Sequence, residues 1–198
     1  MRAARVHTQA NRQAMNPLPA TSTRHGDNLT LIGMPGAGKS TVGVLLAKRI
    51  GYAFVDTDLL IQTGEDRYLQ QIIQKQGMEG FCDLEAGYIM NLKIRRTVVA
   101  TGGSVIYRPH AMAHLQSLGH LIFLDIELET LRQRLGDLDA RGVVVAPGQT
   151  IESLYAERHP LYCQYGQLRL GCTGCTPEQM ANRIIAVLPQ NLLRSHLE

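Results

Sequence analysis

The chain has 198 residues, 44% of them apolar and 19% charged, which supplies one ordinary α/β core and gives no sign of a second. Its net charge of +3 belongs to one end: residues 1–27 hold Arg2, Arg5, Arg12 and Arg24 against Asp27, and the remainder is neutral. A neutral body gives no support to nucleic-acid binding, and no uninterrupted apolar run approaches the roughly 18 residues of a membrane span, so neither partner is expected.

Taken in chain order, residues 1–27 come first and lack the apolar stretch of a secretory signal. They bear arginines and few acids, a loose likeness to an organellar transit peptide, but they read better as a disordered extension, or as an early start with Met15 the true first residue. Apolar strand-like runs follow at 29–33, 52–55, 97–101, 120–125 and 168–171, with helical stretches between them, the longest near 79–95. Continuous apolar strands alternating with helices predict a parallel sheet buried on both faces, whose ligands gather at the C-terminal strand ends. Three polar features sit where the first three strands would end: a glycine-rich loop at 33–41, Asp56-Thr57-Asp58, and Gly102-Gly103-Ser104. Residues 28–190 are therefore expected to form a single domain, with a C-terminal tail at 191–198.

The loop reads Gly33-Met34-Pro35-Gly36-Ala37-Gly38-Lys39-Ser40-Thr41, a complete G-x-x-x-x-G-K-[ST] string between an apolar strand and a helical pattern. A polyphosphate needs several backbone N–H donors at close range, and glycines clear that space and permit φ > 0 where the loop wraps the anion. The loop then opens into a helix N-terminus, which favours negative charge. Lys39 can reach the β/γ-phosphates and Ser40 can ligate Mg²⁺. A phosphate loop alone does not separate ATP from GTP, but the absence of a base-reading N-K-x-D sequence weighs against a GTPase switch.

Two carboxylates at i and i+2, Asp56 and Asp58, can address one site from adjacent angles. One suits Mg²⁺, which keeps waters and takes few protein oxygens, and the other is free to accept a hydroxyl proton. Both could instead cap the helix that opens with Leu59-Leu60-Ile61, and capping is a second role open to Asp58. Further on, Arg141 lies in a loop rich in Asp, Gly and Pro that reads as a mobile lid, from which a guanidinium can stabilise charge on a transferring phosphoryl group. Arg158 lies in Arg158-His159-Pro160-Leu161-Tyr162, on or beside a helix. Cys172 and Cys175 form a C-x-x-C pair with no second pair to complete a zinc site, and they read as incidental reduced thiols. Thr176-Pro177-Glu178-Gln179 reads as a helix start.

Together, the phosphate loop, Asp56-Thr57-Asp58, the glycine turn Ala100-Thr101-Gly102-Gly103-Ser104, Arg141 and the R-x-P-L-Y at 158–162 resemble the shikimate kinase family of small P-loop kinases, over nearly all of residues 28–190. The resemblance implies a three-layer P-loop kinase fold: a central five-stranded parallel sheet, helices on both faces and a mobile lid. It implies transfer of the γ-phosphoryl group of ATP, with Mg²⁺, to a hydroxyl of a small carboxylate metabolite, with shikimate the leading acceptor. Gly33, Gly36, Ala37, Gly38, Lys39, Ser40 and Thr41 would hold the nucleotide, and Ser40 and Asp56 the metal, Asp56 through water. Asp58 would hold the acceptor hydroxyls and serve as base, and Gly102 and Gly103 would offer backbone donors to the acceptor. Arg158 would pair with its carboxylate, Arg141 would bridge the transferring phosphate, and Arg134 would stack on adenine, with Arg132 nearby as the alternative. A cytoplasmic monomer is expected.

The chain departs from the family pattern in three places. Cys82 in Gly77-Met78-Glu79-Gly80-Phe81-Cys82-Asp83-Leu84-Glu85 stands where the family carries a second arginine on the acceptor's carboxylate. A hydrogen bond to a charged group is worth about 1.5–3 kcal/mol, so this loss should weaken a carboxylate ligand by roughly one to two powers of ten. Ser104 replaces a third glycine, and the lid reads Arg141-Gly142-Val143-Val144 rather than R-P-L-L. The nucleotide half of the site is intact and the acceptor half is altered. Homoserine, whose ammonium would disfavour an arginine at 82, is the alternative acceptor, and a non-catalytic ATP-binding regulator is the reading from another class.

Overall fold

A computed structural model of the chain describes residues 26–135 and 148–193. Five strands, β1 (Asn28–Ile32), β2 (Ala53–Asp56), β3 (Thr97–Ala100), β4 (Gly119–Asp125) and β5 (Leu168–Gly171), form one sheet in the order β2-β3-β1-β4-β5. Every pairing is parallel: Thr30 lies opposite Val99 on one side and Leu121 on the other. The expected runs thus fall on the observed strands to within a residue at each end. β1, β3 and β4 are buried almost throughout, as a sheet covered on both faces requires.

Helix α1 (Lys39–Ile50) packs on β1, β2 and β3 and carries α7 (Pro177–Val187) against it, while α4 (Pro109–Leu118) and α6 (Ile151–Tyr165) pack on β4. α7 opens as its sequence indicated: Thr176 Oγ1 accepts from Gln179 N–H at 3.2 Å, Gln179 Oε1 accepts from Thr176 N–H at 2.9 Å, and Pro177 takes the first turn. At the N-terminal end of the central strand, buried Asn28 joins three segments. Its amide donates to Ile94 O and Leu118 O, and its Oδ1 accepts from Thr97 N–H at 3.0 Å, so the start of β1 is tied to β3 and to the end of α4.

The long helix differs from expectation. It runs from Leu69 to Met90 (α3) rather than near 79–95, following the short α2 (Thr57–Glu65). It starts earlier because Leu69, Ile72 and Ile73 complete a small apolar cluster with Ile61 and Phe81. It stops earlier because the Asn91 amide folds back onto Gly87 O at 2.8 Å and the chain turns towards β3. Gly77 interrupts it with φ 73° and ψ 175°. The packed body also passes residue 190: α8 (Gln190–Leu193) buries Leu192, whose carbonyl accepts from the Tyr52 hydroxyl at 3.0 Å. Among the described residues no helix is long and apolar enough to cross a membrane. Residues 1–25 of the tail expected at 1–27, and residues 136–147, which include Arg141 of the expected lid, lie outside the described residues.

Candidate active site

The three polar features gather at the C-terminal ends of β1, β2 and β3, around an open cleft of about 350 Å³. Its walls include Gly36, Gly38, Lys39, Ser40 and Thr41 from the glycine loop, Asp58 from α2, Gly102, Gly103 and Ser104 after β3, and Arg158 from α6. Residues more than a hundred positions apart in sequence thus face one space.

The loop passes from β1 into α1 through Gly36 at φ 77° and Gly38 at φ 96°, conformations open to glycine at no steric cost. Gly38 is the N-cap of α1, and this end of the helix has no side-chain cap and no acidic residue in its first turn. Its leading amides are therefore left for an outside acceptor. Gly33 and Ala37 are buried beneath the loop, and Ala37 N–H closes a turn on Met34 O at 3.1 Å. Lys39 is buried, and its Nζ donates to Gly33 O and Met34 O, both at 2.9 Å. Burial lowers its pKa to about 8, against the opposing pull of Asp58 and Asp56. A helix-start nest with an ammonium at its centre suits a polyphosphate. A hydroxyl at Ser40 and a single nearby carboxylate suit Mg²⁺, which retains much of its water; no cluster of three His, Cys, Asp or Glu side chains occurs among the described residues.

The two aspartates divide the work differently from the sequence expectation. Asp56 ends β2 and caps α2: its Oδ1 accepts from Asp58 N–H at 3.0 Å and from Leu59 N–H at 3.4 Å. Asp58 is thereby released from capping and lines the cleft, its pKa raised by burial, with Lys39 opposing and Asp56 reinforcing the rise.

The glycine turn also needs a correction. Gly102 N–H, expected to face an acceptor, donates instead to the hydroxyl of fully buried Thr57 at 3.1 Å. The need for glycine here is steric: a Cβ would overlap Glu85 Oε1 and lie 2.7 Å from Asp58 Oδ1. At Gly103 a Cβ would sit 3.0 Å from Arg158 Nη1 and from the Pro35 ring. Gly103 O accepts from the buried Tyr162 hydroxyl at 2.6 Å, which anchors the turn to α6.

Glu85 is the residue that sequence reasoning passed over. Its carboxyl is buried beside Asp58; Oε2 accepts from Ser104 Oγ at 2.6 Å, and Oε1 has no hydrogen-bond partner. Burial raises its pKa to about 7, with the Ser104 bond opposing and Asp58 adding to the rise. The available signal was spacing: Phe81, Cys82, Glu85, Ala86 and Ile89 share the buried face of α3, and Glu85 is the one acid among them. Cys82 is buried as well, its thiol pushed up to about 11 by burial and the neighbouring Glu85, and it is absent from the cleft wall. Arg134, near the end of α5 (Leu128–Leu135), reaches the outside of the glycine loop, with Nη1 3.3 Å from Gly36 O. Arg132 turns away into ion pairs with Glu152 at 2.6 Å and Glu129 at 3.2 Å. The thiols of Cys172 and Cys175 are free.

Residues 35–189 match the family model for shikimate kinase. The chain belongs to the shikimate kinase family. The shikimate kinase of Nostoc punctiforme is 35% identical over 175 residues, covering 87% of this chain and 96% of its own. Among solved structures, shikimate kinase from Acinetobacter baumannii in complex with shikimate superposes with a TM-score of 0.74 at 29% identity, over 86% of this chain and 95% of that one. The enzyme from Aquifex aeolicus gives 0.72 at 30%, over 84% and 98%. As a family member the chain is a P-loop small-molecule kinase that uses ATP and Mg²⁺ to phosphorylate a hydroxyl, and its five-stranded parallel sheet with helices on both faces is the family's fold.

Proposed function

We propose that this protein transfers the γ-phosphoryl group of ATP to a hydroxyl of shikimate. The observation that carries the reading is that Lys39, Asp58 and Arg158 line one cleft. The amides of Gly36 and Gly38 and the start of α1, with Ser40 and Thr41, hold the polyphosphate; Ala37, whose N–H closes the turn on Met34 O, shapes the loop around it, and Gly33 sets the turn out of β1. Lys39 exchanges its two loop carbonyls for the phosphate oxygens. Ser40, and Asp56 through water, would hold Mg²⁺, which would supply charge neutralisation on the phosphates. Asp58, raised by burial towards protonation yet beside Lys39, accepts the hydroxyl proton from the acceptor. Arg158 takes the acceptor's carboxylate, with Gly102 and Gly103 forming the floor that lets the acceptor approach. Arg134 supports the adenine end, and Arg141 bridges the transferring phosphate. Catalysis on this reading is positioning and charge stabilisation, with little covalent work for the protein. ATP chemistry and the free thiols suit a cytoplasmic setting, and the protein is proposed to act as a monomer.

The test is acceptor-dependent ADP release with shikimate and with homoserine. Shikimate turns over, Lys39→Ala and Asp58→Asn each lower kcat by about a thousandfold or more, and Arg158→Ala mainly raises the shikimate KM. Turnover of homoserine alone, or ATP binding with no acceptor-dependent ADP release, overturns the reading.

A further inference from the structure

Among the described residues that line the cleft, the cations are Lys39 and Arg158, and Lys39 belongs to the phosphate loop. With a buried cysteine at position 82, orientation of a carboxylate falls to Arg158. Arginine carries several rotatable bonds, and a two-pronged bond to a carboxylate requires its plane to be fixed. The structure fixes that plane from behind the cleft. Tyr107, at the end of a short 3₁₀ turn (Val105–Tyr107), accepts from Arg158 Nε at 2.9 Å and donates its own proton to Glu157 Oε1 at 2.6 Å. Gln149 Nε2 donates to the other oxygen of Glu157 at 2.8 Å. The guanidinium carbon lies 5.2 Å from the Tyr107 ring centroid, and Nη1 lies against Gly103, itself a wall of the cleft. Donors and acceptors run in one direction, from guanidinium to phenol to carboxylate, so an ionised Glu157 polarises the phenol towards the arginine. Neither Tyr107 nor Glu157 lines the cleft.

We propose that Tyr107, held by Glu157, is the positioning residue that sets Arg158 for a carboxylate-bearing acceptor. This rests on the reading of the acceptor given above. The phenol touches no reacting group and works by holding one guanidinium in the plane that a carboxylate needs. Tyr107→Phe keeps the ring and removes the hydroxyl bond.

Steady-state kinetics with shikimate and ATP tests this, beside solvent exchange of the Arg158 Nε–H read by nitrogen-15 NMR on the ligand-free protein. Tyr107→Phe raises the shikimate KM about tenfold, leaves kcat and the ATP KM within about twofold, and speeds Nε–H exchange at least tenfold. Glu157→Gln shifts both readouts in the same direction by less. In an Arg158→Lys background, Tyr107→Phe adds nothing to KM. An unchanged KM, a fall in kcat with KM constant, or unaltered Nε–H exchange overturns the proposal. If the unmodified protein does not turn over shikimate, the acceptor reading fails, and the exchange measurement alone decides the role of Tyr107.

Discussion

Glu85 shows how one buried carboxyl shapes this site. Ser104 Oγ donates to one of its oxygens, and the missing Cβ of Gly102 leaves room for the other. Its pKa of about 7 has a direct consequence for stability. The folded protein holds the proton more tightly than the unfolded chain, so stability present below about pH 4.5 is lost as pH rises through about 7. The loss is on the order of 3 kcal/mol. Glu85→Gln, with the same shape and no charge, should abolish this dependence: denaturant unfolding at pH 8 should find the variant more stable than the parent, and at pH 4 the two should be alike. Equal stability at pH 8 would show that the carboxyl ionises without cost.

At the scale of elements, α3 carries the contrast between two glycines in one helix. Gly77 sits at φ 73° and ψ 175° with open space around its Cα, so a side chain there meets no neighbour and suffers only the backbone penalty. Gly87 is exposed, with nothing near and no positive φ. Gly77→Ala should destabilise by about 1–3 kcal/mol, while Gly87→Ala should stabilise by about 0.5–1 kcal/mol through helix propensity. Urea midpoints of the two variants should move in opposite directions; a shift of the same sign would mean that the kink is not held at Gly77. The same helix places Leu69 and Phe81 in the cleft wall and Glu85 behind Gly102, and the kink lies between the two wall residues, four positions before Phe81.

Across the whole molecule, the sheet order puts β1 in the middle, with β3 and β2 on one side and β4 and β5 on the other. The phosphate loop therefore opens at the centre, and the acids after β2 and the turn after β3 fall to one side of it. Arg158 comes from a helix that packs on β4 and on the 3₁₀ turn, which closes the acceptor side from across the sheet. The charge pattern of the assembled cleft predicts its pH response. Lys39 loses its proton above about pH 8 in the ligand-free protein, and Asp58 is held above the ordinary carboxylate range by burial. kcat/KM for ATP should fall as pH rises through about 8, and it should fall again on the acid side as Asp58 takes up its proton. The alkaline limb should be weaker in kcat, because bound phosphate retains the Lys39 proton. A pH-rate profile with an equal alkaline limb in both parameters would remove Lys39 as its source.

The nucleotide half of the site was legible because it is contiguous. Nine residues from Gly33 to Thr41 carry their own turn geometry, and backbone amides need no distant partner to form a nest. The strand runs were legible for a similar reason, since a two-sided buried sheet demands unbroken apolar stretches. The acceptor half was only partly legible. Asp58 and Arg158 stood out by motif, but that Asp56 is the cap, that Thr57 takes Gly102 N–H, and that Glu85 and Tyr107 stand behind the cleft were settled by packing. Those partners lie 2 to 51 residues apart in sequence. An acid on a helix or a tyrosine in a turn looks the same exposed or buried until the chain closes around it. Sequence determined what could bind the phosphates; only the tertiary structure decided which polar groups lose their water, and desolvation is what gives those groups their partners and their shifted protonation.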